Sequence, residues 1–307
     1  MTPVLKGFVA VPHGQVHFRY GGSGPVVVML HDSPRSSVLH APNIEWLGEH
    51  FTVLALDTPG YGNSTPLPQP APTIKDFAAA LADTLGALGI ERCALYGFHT
   101  GAKIALQFAA DHPERVSLAV LDGLALSAET ATAEYLERYL QSFEPTADGS
   151  HLAGQWTRIL DFHRYYPWFA PSAATRVRLP LPGDASLHEY ATDVFMAGPH
   201  WVDAYRAALS YAAGPVIASL RSRSVFMCRE DDLLYGSLDA SPQPLPSQCS
   251  VERIPPLTAQ WRTRLLAALK QAAMPPAAAW SPPRQSATPG NALEQQRYAN
   301  LIHGQLR

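Results

Sequence analysis

Between Tyr96 and Leu106 the chain reads YGFHTGAKIAL. Gly97 and Gly101 bracket Phe98-His99-Thr100. That is the spacing of the G-x-S-x-G turn, which exposes a nucleophile between a strand and a helix. Here the tip residue is His99, so the chemistry on offer is that of an imidazole. A ring that titrates near neutrality can take or give a proton, or polarise a carbonyl. The helix running from Thr100 to about Asp111 places its N-terminus beside the ring, which is expected to favour the neutral form. Enolisation, carbon–carbon cleavage, elimination or cyclisation would suit such a residue. Ester hydrolysis through an acyl-enzyme would not, because no hydroxyl or thiol stands at the tip. The Thr100 hydroxyl is adjacent, but the turn aims only its middle residue outward, so Thr100 is expected to cap or pack.

The elements that must hold this turn are legible on both sides of it. Gln15–Tyr20 alternates like a half-buried strand. Pro25–Asp32, Phe51–Asp57, Arg92–Gly97 and Val116–Gly123 are continuous apolar runs, as strands buried on both faces require. Helical patterns lie between them, most clearly Thr73–Leu88, with Thr73 as N-cap and Asp76 three residues on. Strand–helix alternation predicts an α/β fold with a mostly parallel sheet and helices on both faces. Ligands bind beyond the C-terminal strand ends of such a sheet. Those ends carry His31, Asp57, His99 and Asp122. After Gly123 the alternation stops, and residues 124–219 are helix-like and rich in aromatics, with Ser150 as an N-cap. Strand character returns at Ser224–Glu230 and Cys249–Ile254, and a helix follows from Ala259 to Gln271. The reading is a core of residues 1–123 and 220–273, a helical lid at 124–219 on the ligand side, and a Pro-rich linker with a strand-like tail at 274–307.

Composition narrows the function classes. A net charge of −3 and an even spread of charge give no footprint for nucleic acid. Three widely spaced cysteines form neither a disulfide frame nor a metal motif. No apolar run approaches the ~18 residues of a membrane span, and no signal peptide is visible, so a cytoplasmic protein is expected. Neither H-E-x-x-H nor C-x-x-C occurs, and no metal or cofactor is expected.

Taken in order, these strings resemble the α/β-hydrolase fold superfamily from Val26 to about Gln271. Leu30–Ser37 (LHDSPRSS) resembles the oxyanion loop after the third strand, with Asp32 where that loop has glycine. Asp57–Ser64 (DTPGYGNS) resembles the D-x-x-G-x-G-x-S turn, and Asp111–Val116 (DHPERV) a common helix end. Arg229–Gly236 (REDDLLYG) resembles the turn that delivers the acid of a Ser-His-Asp triad, which maps onto Asp232. The resemblance implies an oxyanion hole from the backbone N–H groups of Thr100 and about Ser33. It also implies a loop-holding role for His31. Two departures break the triad: His99 replaces the nucleophile, and no histidine lies between His200 and His303, where the general base would follow the last strand. A Ser-His-Asp mechanism therefore does not carry over.

The candidate catalytic residues are His99 with Asp232 or Asp122 as its carboxylate partner, a choice the sequence leaves open. Asp122 ends the strand beside the elbow, whereas Asp232 lacks a bridging histidine. Thr100, Ser33, His31, Asp32, His151 and Trp156 are candidates for binding a small apolar or aromatic substrate. The function expected first is cofactor-independent acid–base chemistry on a carbonyl compound, of lyase, isomerase, cyclase or carbon–carbon cleavage type. The alternatives are a hydrolase activating water through His99 and a carboxylate, and a non-catalytic ligand-binding protein. In the tail, HGQL at His303–Leu306 echoes HGQV at His13–Val16. A second copy of an edge strand there could pair two subunits as a homodimer.

Overall fold

The computed structural model describes residues 1–126, 130–239, 244–274 and 280–283. Its centre is an eight-stranded sheet: β1 (Leu5–Val11), β2 (Gly14–Gly21), β3 (Val26–Leu30), β4 (Thr52–Leu56), β5 (Cys93–Phe98), β6 (Val116–Asp122), β7 (Ser224–Arg229) and β8 (Cys249–Ile254). The spatial order is β1-β2-β4-β3-β5-β6-β7-β8. β1 pairs antiparallel with β2 and β2 with β4; from β4 onward every pairing is parallel. The crossovers carry α1 (Ala41–Leu47), α2 (Ile74–Ala87) and α3 (Thr100–Asp111), and α9 (Thr258–Lys270) follows the last strand.

Strand alternation sorts the core into two layers. Val28, Leu54 and Leu95 point towards α2 and α3. Val27, Met29, Val53 and Tyr96 point towards α1 and α9. This double burial is why the strands read as unbroken apolar runs. α2 begins on a complete capping box: Thr73 Oγ1 accepts from Asp76 N, and Asp76 Oδ2 accepts from Thr73 N at 2.7 Å.

Between β6 and β7 the chain is helical: α4 (Ala133–Tyr139), α5 (Ser150–Arg164), α6 (Asp184–Ala197), α7 (Asp203–Leu209) and α8 (Ala213–Ala218). Ser150 is not the cap of α5. Gly149, in the left-handed region at φ 72°, takes that position, and Ser150 is the first helical residue. A glycine reaches that backbone conformation without strain, which a serine cap would not need.

The echo of HGQV in the tail also reads differently on the structure. Pro12 and His13 form the turn between β1 and β2, so only its last three residues belong to a strand. The expected tail strand itself lies outside the described residues. Trp280 is described, and it docks on the core: its Nε1 donates to Leu88 O at 2.9 Å, and its ring meets Tyr20 and Phe18 edge-on. No helix among the described residues is long and apolar enough to cross a membrane.

Candidate active site

The turn after β5 has the geometry its glycines demand. A Cβ on Gly97 would lie 2.3 Å from Gly101 O, and one on Gly101 would lie 2.4 Å from Leu30 O. Only glycines let α3 start this close to its own strand and to the end of β3. Between them, His99 adopts φ 47°, ψ −104°, and it is the only non-glycine among the described residues with positive φ. Its amide donates to Asp122 O at 2.9 Å, fastening the turn to the end of β6. A backbone so held is strained by about 1–3 kcal/mol.

The imidazole leaves the turn and reaches the loop after β7. His99 Nε2 and Asp232 Oδ2 are 2.8 Å apart. The ring stacks on Phe98, with centroids 4.0 Å apart and planes at 26°. It also lies close against Gly123, where a Cβ would fall 2.2 Å from His99 Cδ2. The side chain is 32% exposed and Asp232 only 12%, so the ring is reachable while its carboxylate is shielded. Asp232 is itself fixed, because its Oδ1 accepts from Leu234 N at 2.8 Å.

Asp122 is therefore not the side-chain partner of His99. Its Oδ2 accepts from Tyr96 Oη and from Trp261 Nε1, each at 2.7 Å, on the α9 side of the sheet. It acts on His99 only through its charge and its backbone carbonyl. Burial pushes the Asp122 carboxyl up to about 6, against those two hydrogen bonds.

The helix terminus does not set the net direction of the His99 pKa. Burial works to lower the His99 pKa, but the hydrogen bond and charge of Asp232 outweigh it, with further help from Asp32 and Asp122, and the net direction is upward. Three carboxylates exceed the partial charge of one helix terminus. Burial likewise works to raise Asp232, yet the contact with His99 holds it below the usual carboxylate range.

The loop after β3 is locked from within. His31 Nδ1 lies 2.8 Å from Asp32 O, and His31 Nε2 accepts from Thr58 N at 3.0 Å. Both ring nitrogens are spent on the loop, so His31 offers a substrate none. The Ser33 hydroxyl meets Tyr61 Oη at 2.9 Å, and Tyr61 also donates to Trp201 O. Asp57 holds the next turn, accepting from Ser37 N, Asn63 N and His17 Nδ1. Burial opposes its charge, but these bonds bring its pKa down to about 2. Asp32 has a buried Oδ1 with no hydrogen-bond partner, and burial raises its pKa against Arg35, His99 and His31. Thr100 is buried at the first turn of α3.

His151 and Trp156 sit elsewhere on α5. His151 Nδ1 lies 3.0 Å from Thr146 N and Oγ1, and Trp156 is 39% exposed. The inward face of that helix is Gln155, Arg158 and Ile159. Sequence reasoning missed Gly123, although its place at the end of the strand beside the elbow was a usable signal. It also missed Arg35, which bonds Glu189 and, at 2.8 Å, Asp193 of α6. Ser36 Oγ donates to the other oxygen of Asp193. Among the described residues no group of three or more His, Cys, Asp or Glu side chains is arranged to hold a metal ion.

Known proteins resemble this chain at several levels. A fluoroacetate dehalogenase from Burkholderia is 37% identical over 107 residues, covering 33% of this chain and 35% of its own. A 2-(acetamidomethylene)succinate hydrolase from Mesorhizobium japonicum is 27% identical over 59% of this chain and 64% of its own. The chain thus matches less than two thirds of the length of either relative. The solved structure of an epoxide hydrolase from an endophytic Streptomyces superposes with a TM-score of 0.65 at 20% identity, covering 86% of this chain and 94% of that one. The model of the alpha/beta hydrolase fold family matches residues 25–195, more than half of the chain. With the parallel sheet, the elbow after β5 and the acid after β7 in their places, the chain belongs to the alpha/beta hydrolase fold family.

Proposed function

We propose that this protein is a cofactor-independent enzyme in which the His99–Asp232 pair moves protons on a small apolar or aromatic carbonyl compound. The observation that carries this reading is the direct 2.8 Å contact between the elbow imidazole and the acid after β7. One side chain occupies the station of a nucleophile and is oriented as a general base would be. With Nε2 engaged, Nδ1 is the ring position left to take a proton from the carbon next to a carbonyl and return it. Asp232 compensates the imidazolium that forms. The backbone N–H groups of Thr100 and Ser33 would hold the developing enolate oxygen. The helical segment from 124 to 219 would act as a lid that keeps water from that anion.

Hydrogen–deuterium exchange next to the carbonyl of a panel of aryl ketones and diketones, followed by NMR in D2O, tests the reading. Wild-type protein should catalyse exchange and folded His99→Ala should not. Equal exchange by both would overturn it.

A second reading, hydrolysis by a water activated at His99, is favoured by the hydrolases among the relatives. It differs in one observable. Hydrolysis in H2 18O labels the product, and proton transfer alone does not.

A further inference from the structure

Polar atoms without partners are rare in buried positions, because each costs about 1–3 kcal/mol. Three such atoms gather in the helical segment between β6 and β7. They are Arg158 Nη2, Tyr190 Oη and Trp201 Nε1. Arg158 and Tyr190 are each 6% exposed and Trp201 is wholly buried. All three atoms can donate a hydrogen.

They share one neighbourhood. The Arg158 guanidinium lies over the Trp201 ring, 4.2 Å from its centroid, and 5.9 Å from that of Trp168. Its charge acts on Tyr190. Arg158 Nε donates to Gln155 at 2.7 Å, and among the described residues no carboxylate lies within ion-pairing distance of the guanidinium. A buried charge without a counter-ion is strongly unfavourable.

The neighbourhood also borders the loop after β3. Trp201 O takes the Tyr61 hydroxyl that touches Ser33, and Arg35 lies 5.7 Å from the Tyr190 ring centroid. The charge of Asp32 acts on both Tyr190 and His99.

We propose that Arg158, Tyr190 and Trp201 form a carboxylate-binding subsite. A guanidinium and two neutral donors match the lone pairs of a carboxylate, and Trp168, Trp201 and Phe162 supply walls for an apolar or aromatic body. The substrate class is then an aromatic or apolar acid bearing a carbonyl, held by its carboxylate in the helical segment with the carbonyl towards His99. Only this last clause rests on the function proposed above.

Binding tests the subsite without turnover. The full-length protein is titrated with phenylacetate and, separately, with phenylacetamide, followed by tryptophan fluorescence and by thermal melting. Phenylacetate should give a saturable change and a raised Tm, with at least about tenfold preference over the amide, the scale of one charge-assisted hydrogen bond. Arg158→Lys and Tyr190→Phe, which keep most of the side-chain volume, should each weaken phenylacetate about three- to tenfold and leave phenylacetamide alone. His99→Ala should bind phenylacetate as the wild type does, so that loss of catalysis and loss of the subsite are read separately. Absence of saturation up to about 10 mM, equal binding of acid and amide, or wild-type affinity in both Arg158→Lys and Tyr190→Phe would overturn the proposal and leave Arg158 as a packing residue between two tryptophans.

Discussion

The His99 ring fills the space that a side chain on Gly123 would need. The imidazole lies where a Cβ on Gly123 would stand, 2.2 Å from Cδ2 and 2.5 Å from Nε2. The same glycine has φ +63°, which a side chain rarely adopts. Gly123→Ala should therefore push the ring off Asp232 and remove most of the activity. It should destabilise the fold by about 1–2 kcal/mol through the backbone alone. Imidazole NMR shifts and chemical denaturation read the two effects; an unperturbed His99 resonance in the alanine variant would contradict this geometry.

Asp232→Asn removes the charge that outweighs burial at His99. The His99 pKa should fall, and the acidic limb of the rate profile, where the base becomes protonated, should move to lower pH by about one unit or more. The rate should drop on the order of 10²-fold. A pH–rate series beside an NMR titration of the ring checks both; a titration identical to wild type would detach Asp232 from His99.

The pair also gives stability a pH dependence with a definite sign. The folded pKa of His99 is raised. Its contribution is full below the unfolded value near 6.5 and fades as pH rises through the folded value. The folded pKa of Asp232 is lowered. Its contribution is full above the unfolded value near 3.8 and is lost as pH falls through the folded value. A double-mutant cycle between His99→Gln and Asp232→Asn should show its largest coupling at about pH 4–6.5 and a smaller one at about pH 9. Coupling that grows with pH would refute the assignment.

His99→Ser should not yield an efficient esterase. No histidine lies in the turn after β8, where Pro255, Pro256 and Leu257 lead into α9. The oxyanion hole and binding alone are worth about 10³–10⁴-fold over water. A p-nitrophenyl acetate assay is sufficient, and a larger acceleration would mean that another base reaches the turn.

Trp280 packs its ring on Tyr20 and Phe18 and hydrogen-bonds Leu88 O. Trp280→Ala should cost about 1–3 kcal/mol. Truncation after Ala273 should cost at least as much, as thermal melting would reveal. An unchanged Tm in both would mean that Trp280 adds nothing to the fold.

How far the sequence disclosed these features depended on the range of the interactions. Runs such as Val26–Leu30 and Val116–Asp122 could be placed because burial on a sheet is written in consecutive residues. The capping box at Thr73 was equally local. The elbow was legible because its two glycines are forced by contacts across one turn. The partner of His99 was not, since Asp232 lies 133 positions away and the reach of an imidazole decides whether a bridge is needed. The upward direction of the His99 pKa was hidden for a related reason. The helix terminus is visible in the sequence, whereas Asp32, Asp122 and Asp232 converge only in space. Arg158 gave no signal, because its helix carries polar residues on the exposed face as well.

The direct bond between His99 and Asp232 bears on how such a site can change over generations. One imidazole stands where a nucleophile and its base would otherwise divide the work. Exchanging it for serine deletes the base in the same step that supplies the hydroxyl. Introducing a histidine after β8 first would set a second imidazole competing for Asp232. Either order breaks or shares the direct contact between His99 and Asp232 before a Ser-His-Asp triad is complete, so the proposed chemistry and serine hydrolysis lie more than one exchange apart.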